Sequence, residues 1–294
     1  MIHCPICLAE TGGIDGLASH FYDLAGKSDP KHVMWLNRNI GIHSLTEGEL
    51  AQEFNKFFHS PGVLFDWIVS KFIRTFYGPS PHPFILEMQR PSSYVLAGYA
   101  IEHYHFLRQW VKSCLAIASN SDILEVQRYE IDNVKEEYLG NGKKPHVELL
   151  IEMGTSLGLN RDEIIHSRPL KGTEEAILFW DSICRSRSWL EGMAAMHSLE
   201  LIANRNIVKM GGTCNYFVPE YVKENFPEEV WNFLGAGYEA DVYHSMDALK
   251  IIDKYATGKE DRERVQSAFL ASTERFYTYL SSRLERGREI EKKL

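Results

Sequence analysis

Gly237-Tyr238-Glu239-Ala240-Asp241-Val242-Tyr243-His244-Ser245-Met246-Asp247-Ala248-Leu249 is the stretch whose reading decides the fold. It lies in a long proline-free segment, 228–294, that carries helical periodicity instead of sustained period-two alternation. Leu249, Ile252 and Tyr255 continue it at helical spacing. On a helix Asp241 and His244 stand at i and i+3, so they leave from one face. A carboxylate and an imidazole placed in this way are either a hydrogen-bonded structural pair or two donors for a metal inside a helical bundle.

The rest of the chain supports a bundle. Its prolines leave two further long stretches free, 92–144 and 170–218. Val95, Tyr99, Phe106, Trp110 and Val111 recur at helical intervals, as do Ile177, Trp180, Ile183 and Cys184. Helices are expected over 46–59, 62–77, 92–118, 122–138, 146–157, 161–166, 173–205, 219–234, 235–256 and 260–291. Thr46 with Glu49 reads as a capping box, and Thr173 before Glu174 and Glu175 as an N-cap with favourable dipole charges. Gly158 and Gly258 suit helix C-termini. Gly140-Asn141-Gly142-Lys143-Lys144-Pro145 reads as an interhelix loop. The fold class is all-α, in three parts: a mixed module over 1–40, a helical domain over 41–258 and a C-terminal helix over 259–294.

Composition limits the function. The 294 residues carry 32 Lys and Arg against 40 Asp and Glu, a net charge of −8, so nothing favours phosphate backbones or an anionic membrane. The N-terminus lacks the basic start and apolar stretch of a secretory signal. No apolar run approaches the roughly 18–20 residues that span a bilayer. A cytoplasmic protein is expected, with no nucleic-acid or membrane partner. Five cysteines over this length are not a disulfide framework, and Cys114, Cys184 and Cys214 read as small apolar residues.

The remaining two cysteines form a motif. Cys4-x2-Cys7, His20 after twelve residues and His32 after eleven more offer four zinc-type ligands. A segment this short cannot bury enough apolar surface to fold alone, and a tetrahedral zinc would supply the missing free energy. The last gap exceeds the usual zinc-finger spacing, so His3 and His43 stand as substitutes for the fourth ligand. Glu10 and Asp15, with no Lys or Arg, lie between Cys7 and His20, which argues against a helix that reads a DNA groove. The module reads as a structural clip, with Trp35 and Leu36 as its packing anchors.

Further donors precede the opening stretch. Glu136 ends one expected helix and His146 opens the next; Ala194-Ala195-Met196-His197-Ser198-Leu199-Glu200 places a carboxylate that is costly to bury without a cation. Glu136-x9-His146, then Glu200, then Asp241-x2-His244 resembles, in order and interval, the haem-oxygenase-like diiron oxidase and oxygenase superfamily. That superfamily is related to pyrroloquinoline-quinone-synthase-like and thiaminase-like proteins. The flanking His146-Val147-Glu148-Leu149-Leu150 and Asp247-Ala248-Leu249 agree as well. The resemblance covers residues 45–256 and leaves the zinc module outside.

What the resemblance implies is a helical bundle of about seven core helices. It also implies one or two irons held by Glu136, His146, Glu200, Asp241 and His244, and oxidation of a small molecule with oxygen activated there. Carboxylates and imidazoles hold iron without saturating it. One position departs: Gly237 stands where a histidine ligand is expected. Glu102, one turn from His105 in Glu102-His103-Tyr104-His105, is the substitute drawn from elsewhere. His103 and His197 read as satisfied histidines. No Gly-x-Gly-x-x-Gly loop is present, so an external reductant is implied. Such relatives are often dimers; the apolar stripe Phe269, Phe276, Tyr277, Leu280 and Leu284 reads as intrachain packing, with a homodimer as the alternative. Two other functions stay open: a metal-free enzyme of the quinone-synthase or thiaminase type, whose pocket needs His, Arg and Tyr, and a noncatalytic binding protein stabilised by metal.

Overall fold

The computed structural model describes residues 2–41, 46–59, 62–140 and 144–293, and of 239–244 the backbone only. The helices are α1 Ile14–Gly26, α2 Pro30–Asn39, α3 Glu47–Phe58, α4 Leu64–Phe76, α5 Pro83–Glu87, α6 Ser93–Ser119 and α7 Leu124–Leu139. After these come α8 His146–Ser156, α9 Arg161–Ile165, α10 Lys171–Ser186, α11 Trp189–His197, α12 Pro219–Asn225, α13 Glu228–Tyr255 and α14 Lys259–Glu291. A 3-10 turn, Ser198–Ala203, prolongs α11. Among the described residues extended pairing is confined to one bridge, His3 with Glu10. The protein is all-α, and none of these helices is long and apolar enough to cross a membrane.

Local chemistry sets most of the helix ends. Thr46 and Glu49 close the expected capping box on α3. The single helix expected over 173–205 is instead broken: a second capping box, Ser188 with Glu191, starts α11 two residues after α10 ends. Helix α10 begins at Lys171, so Thr173 is not its N-cap but a buried residue of its first turn. Pro227 divides α12 from α13, which then runs unbroken through the expected junction at 234 and 235. Gly158, at φ +95°, follows α8 in the left-handed region, whereas Gly258 is the N-cap of α14 rather than the end of α13.

Helix α6 is the centre of the bundle: α14, α7, α10, α8, α11 and α9 all pack on it. Its crossing with α14 is made close by two glycines. A Cβ added to Gly98 would lie 2.4 Å from Gly287 N and 2.5 Å from Arg283 O. One added to Gly287 would lie 2.8 Å from Tyr94 O. The backbones therefore approach as only glycine permits. Phe269, Phe276, Leu280 and Leu284 of α14 are buried in the core this crossing creates, so the apolar stripe is covered within the chain.

The N-terminal module is mixed, two helices behind a short knuckle, and it packs on the body through aromatic rings. Trp35 and Leu36 are both buried. Phe21 lies 4.8 Å from Trp35 between ring centroids, and Trp35 stacks on Phe54 of α3 at 5.7 Å. Helix α14 braces the other side: Arg275 donates to the carbonyls of Pro5 and Ile6, and Arg38 pairs with Glu274.

Candidate functional site

Two groups of donors converge, one in the N-terminal module and one along a cavity in the bundle. In the first, Cys4 and Cys7 sit in a knuckle closed by Cys4 N donating to Ala9 O and Leu8 N donating to Cys4 O. Helix α1 supplies His20 and the first turn of α2 supplies His32. The four ligand atoms of Cys4, Cys7, His20 and His32 all lie within 4.8 Å of one another. Cys4 Sγ is 3.3 Å from His32 Nε2, and Cys7 Sγ is 3.3 Å from His20 Nε2. A tetrahedral zinc sets neighbouring S and N ligands about 3.3–3.8 Å apart, so this set fits it. Asp29 caps α2 through His32 N and accepts from His32 Nδ1 at 2.6 Å, which turns Nε2 toward Cys4. His3 is not part of the set: it lies 2.9 Å from Arg187 through Nε2. His43 lies outside the described residues.

The cavity runs between α6, α7, α8, α13, α14 and the 3-10 turn. Glu137, His146, Glu200 and Gly237 line it, together with Tyr99, His103, Phe106, Trp110, Tyr216, Phe233 and Arg283. Of the expected iron ligands, His146 and Glu200 are therefore at one site. Glu136 is not among the lining residues; its neighbour Glu137 is, with Oε1 2.8 Å from His146 Nδ1. One residue on a helix is a turn of about 100°, so the two carboxylates leave α7 in different directions.

Glu102 does not join the cavity. It is fully buried, and Arg286 Nε at 2.8 Å and Leu170 N at 3.1 Å consume its carboxylate. It is a structural ion pair, and His105 beside it bonds Ser167 Oγ at 2.9 Å. Asp241 and His244 follow Gly237 on α13 at i+4 and i+7, and their side chains lie outside the described residues. A Cβ added to Gly237 would meet nothing within 4 Å, so the cavity is open where the resemblance expects a histidine.

Behind Glu200 stands a buried charge relay. His197 Nε2 is 2.9 Å from Glu130 Oε1, and His197 Nδ1 is 3.5 Å from Glu200 Oε2. Burial opposes a charge on His197, but the two carboxylates outweigh it and hold its pKa up at about 10, so it is an imidazolium at neutral pH. Cys114 lies with Glu130 and His197, their ligand atoms within 4.8 Å. Burial, then the Glu130 carboxylate, pushes its thiol well up, and it stays protonated. At 3.5 Å the His197–Glu200 approach is an electrostatic contact, and among the described residues the buried Glu200 Oε2 has no hydrogen-bond partner. A buried carboxylate oxygen without a full hydrogen bond, in a cavity that Glu137 and His146 also line, suits a metal cation, although the ligand atoms of these three do not gather within 4.8 Å as those of the zinc set do.

Several of these residues escape a reading of the sequence. Glu130 is seven residues before Glu137, two turns up one face of α7, and that interval was its available signal. Arg283 sits seven residues after Phe276 within the apolar stripe of α14, a charge where only apolar residues belong. His103 and His197 are not inert: the first lines the cavity and the second carries a charge against Glu200.

Comparison with known proteins gives the family and the fold. Residues 1–59 match a C2H2 type zinc-finger family in one copy. A 4-aminobenzoate synthase of Chlamydia trachomatis is 26% identical over 192 residues, 65% of this chain and 79% of its own length. That of Chlamydia muridarum is 26% identical over 210 residues, 69% and 84% of the two chains. Among solved structures, a domain of unknown function with a heme oxygenase-like fold from Shewanella denitrificans superposes with a TM-score of 0.58 at 16% identity, covering 84% of this chain and 96% of that one. A TenA homolog from Pseudomonas syringae pv. tomato gives 0.57 at 14% identity, with 80% and 92% covered. The fold is thus haem-oxygenase-like. Because the TENA/THI-4/PQQC family model matches residues 69–286, including the C-terminal helix that carries Arg283, the chain belongs to the TENA/THI-4/PQQC family.

Proposed function

We propose that this protein is a non-haem iron oxidoreductase that oxidises a small organic molecule in the cavity, with a structural zinc at its N-terminus. The observation that carries the reading is that Glu137, His146 and Glu200 line one cavity, where the buried Glu200 Oε2 has, among the described residues, only the 3.5 Å approach of His197. Glu137, His146 and Glu200 would hold the metal, with Asp241 and His244 as the ligands expected from α13. Bound iron would supply open coordination positions at which dioxygen is activated. The relatives named 4-aminobenzoate synthase support an enzyme that works on a small molecule.

The protein's own residues prepare the site. The His197 imidazolium, backed by Glu130, stands 3.5 Å from Glu200 and fixes its position. His146, held through Nδ1 by Glu137, presents Nε2 as its other donor atom. Phe106, Trp110 and Phe233 exclude water and give an organic substrate an apolar wall. Electrons beyond those the substrate gives up would come from an external reductant.

Anaerobic titration with ferrous iron, followed by an oxygen pulse, tests the reading. Uptake of one or two irons with oxygen consumption supports it; no uptake beyond zinc rejects it. A second reading, a metal-free enzyme, is favoured by the His103, Arg283, Tyr99 and Tyr216 lining and by the empty space at Gly237. It predicts turnover that a ferrous chelator leaves unchanged.

A further inference from the structure

Arg283 is 1% exposed, and no carboxylate of the described residues pairs with it. Of the acids near it in sequence, Glu285 is exposed and Glu289 pairs with Arg286, as does Glu102 of α6; across the cavity Glu137 holds His146 and Glu200 faces His197. A buried guanidinium keeps its charge, because arginine does not deprotonate in proteins. Leaving such a charge without an anion is costly.

Among the described residues, the groups in contact with Arg283 are neutral. Nη1 donates to Tyr216 OH at 2.8 Å; Nη2 donates to Tyr279 OH at 2.6 Å and to His103 Nδ1 at 2.8 Å. The Tyr99 and Tyr279 rings lie 4.0 and 4.5 Å from its carbon. Burial pushes both the Tyr216 and the Tyr279 hydroxyls up, so neither is a phenolate at neutral pH. Burial, then the Arg283 charge, pushes His103 well down, so it is a neutral imidazole. Ring faces and hydroxyl dipoles offset part of the cost, and a purely structural cation would rest there. Two further facts go beyond that: Arg283 Nε is buried with no acceptor, and Arg283, His103 and Tyr216 all line the cavity.

The direction of the hydrogen bonds makes this wall a donor surface. His103 Nδ1 is occupied as an acceptor, which leaves the ring proton on Nε2. Tyr216 accepts from Arg283 and is hydrogen-bonded to Tyr99, whose hydroxyl-bearing ring also lines the cavity. A permanent cation flanked by donors, beside apolar Phe106 and Phe233, is complementary to a carboxylate carried on an apolar body.

We infer that Arg283, with His103 and Tyr216, is the carboxylate-binding subsite of this cavity, and that the substrate is a small organic acid with an apolar or aromatic body. The inference rests on the cavity being the reaction site, but not on the metal. It assigns Arg283 to binding and leaves the oxidation to the Glu137–His146–Glu200 region.

The test uses the full chain as purified, before ferrous iron is added, with benzoate and benzamide as a charged and a neutral probe of one shape. Calorimetry should show benzoate binding at least about tenfold tighter than benzamide, the scale of one charge-assisted hydrogen-bonded pair. Arg283→Met should bring the ratio to about one, and Arg283→Lys should keep most of it. Should Arg283→Met fail to fold, Tyr216→Phe decides: it should weaken benzoate several-fold and leave benzamide unchanged. A ratio near one in the parent, or one that survives Arg283→Met or Tyr216→Phe, overturns the subsite. Iron uptake is scored separately. Benzoate preference without ferrous binding would reject the metal reading and keep the subsite; ferrous binding without that preference would do the reverse.

Discussion

Glu130 Oε1 and His197 Nε2 are 2.9 Å apart, and neither side chain has any surface exposed to solvent. A buried carboxylate is tolerated here because the imidazole opposite carries the compensating charge. Removing one partner strands the other. Glu130→Gln should therefore cost about 3 kcal/mol in urea unfolding of the iron-free protein. The same change should lower the His197 imidazole pKa from about 10, read by NMR. An unfolding midpoint equal to the parent's would show that the pair carries no charge.

The zinc set predicts stoichiometry. Elemental analysis should find one zinc per chain, and Cys7→Ser should reduce it to none. Structural zinc contributes on the order of 10 kcal/mol of apparent binding free energy in small modules. Its loss should open residues 2–39 to limited proteolysis while α6 and α14 stay protected. A zinc-free variant with an unchanged cleavage pattern would mean that Phe21 and Trp35 hold the module by packing alone.

Acid stability should depend on His82. Its Nδ1 accepts from Phe84 N at 3.1 Å and its Nε2 lies 3.0 Å from the Tyr277 carbonyl, so the neutral ring is built into the start of α5. Burial lowers its pKa from 6.5 to about 3. Above pH 6.5 both folded and unfolded chains hold it neutral. As pH falls from 6.5 toward 3 only the unfolded chain takes up the proton, so stability falls, by roughly 1.4 kcal/mol per pH unit at most. His82→Asn keeps a helix-capping acceptor and removes the titration; its stability should fall less steeply over that window in urea titrations. Parallel slopes for the two proteins would contradict this account.

Two glycines should respond oppositely to alanine. Gly98→Ala places a methyl group within 2.4 Å of Gly287 N and must part α6 from α14, at about 2 kcal/mol or more. Gly237→Ala meets nothing within 4 Å on a helix and should be neutral or stabilising by up to ~1 kcal/mol. Thermal unfolding separates the two, and equal shifts would contradict the close crossing.

Much of this arrangement is written in local sequence. The Cys4, Cys7, His20 and His32 set rests on motif spacing and the Thr46–Glu49 box on a three-residue contact, whereas His146 and Glu200 are legible only through the family resemblance. What local pattern does not contain is helix phase and long-range pairing. Glu136 and Glu137 are adjacent acids, and only the packing of α7 on α6 and α8 selects Glu137. Glu102 reads as a ligand until Arg286, 184 residues later, is seen to hold it. Thr173 and Gly258 have the right chemistry for helix ends, yet Lys171 and Ala256 lie where tertiary packing sets those ends. Arg283 was visible as an anomaly in the stripe of α14, but its partners come from α6, α14 and the segment before α12.

The central claim is a metal site built on Glu137, His146 and Glu200, and ferrous titration of the parent beside Glu200→Ala and Glu137→Ala tests it most directly. The parent should bind one or two ferrous ions and either variant none or one much more weakly, with the same zinc content and helical circular dichroism in all three. Ferrous uptake unchanged in both variants, with the fold intact, would place any iron elsewhere and contradict it.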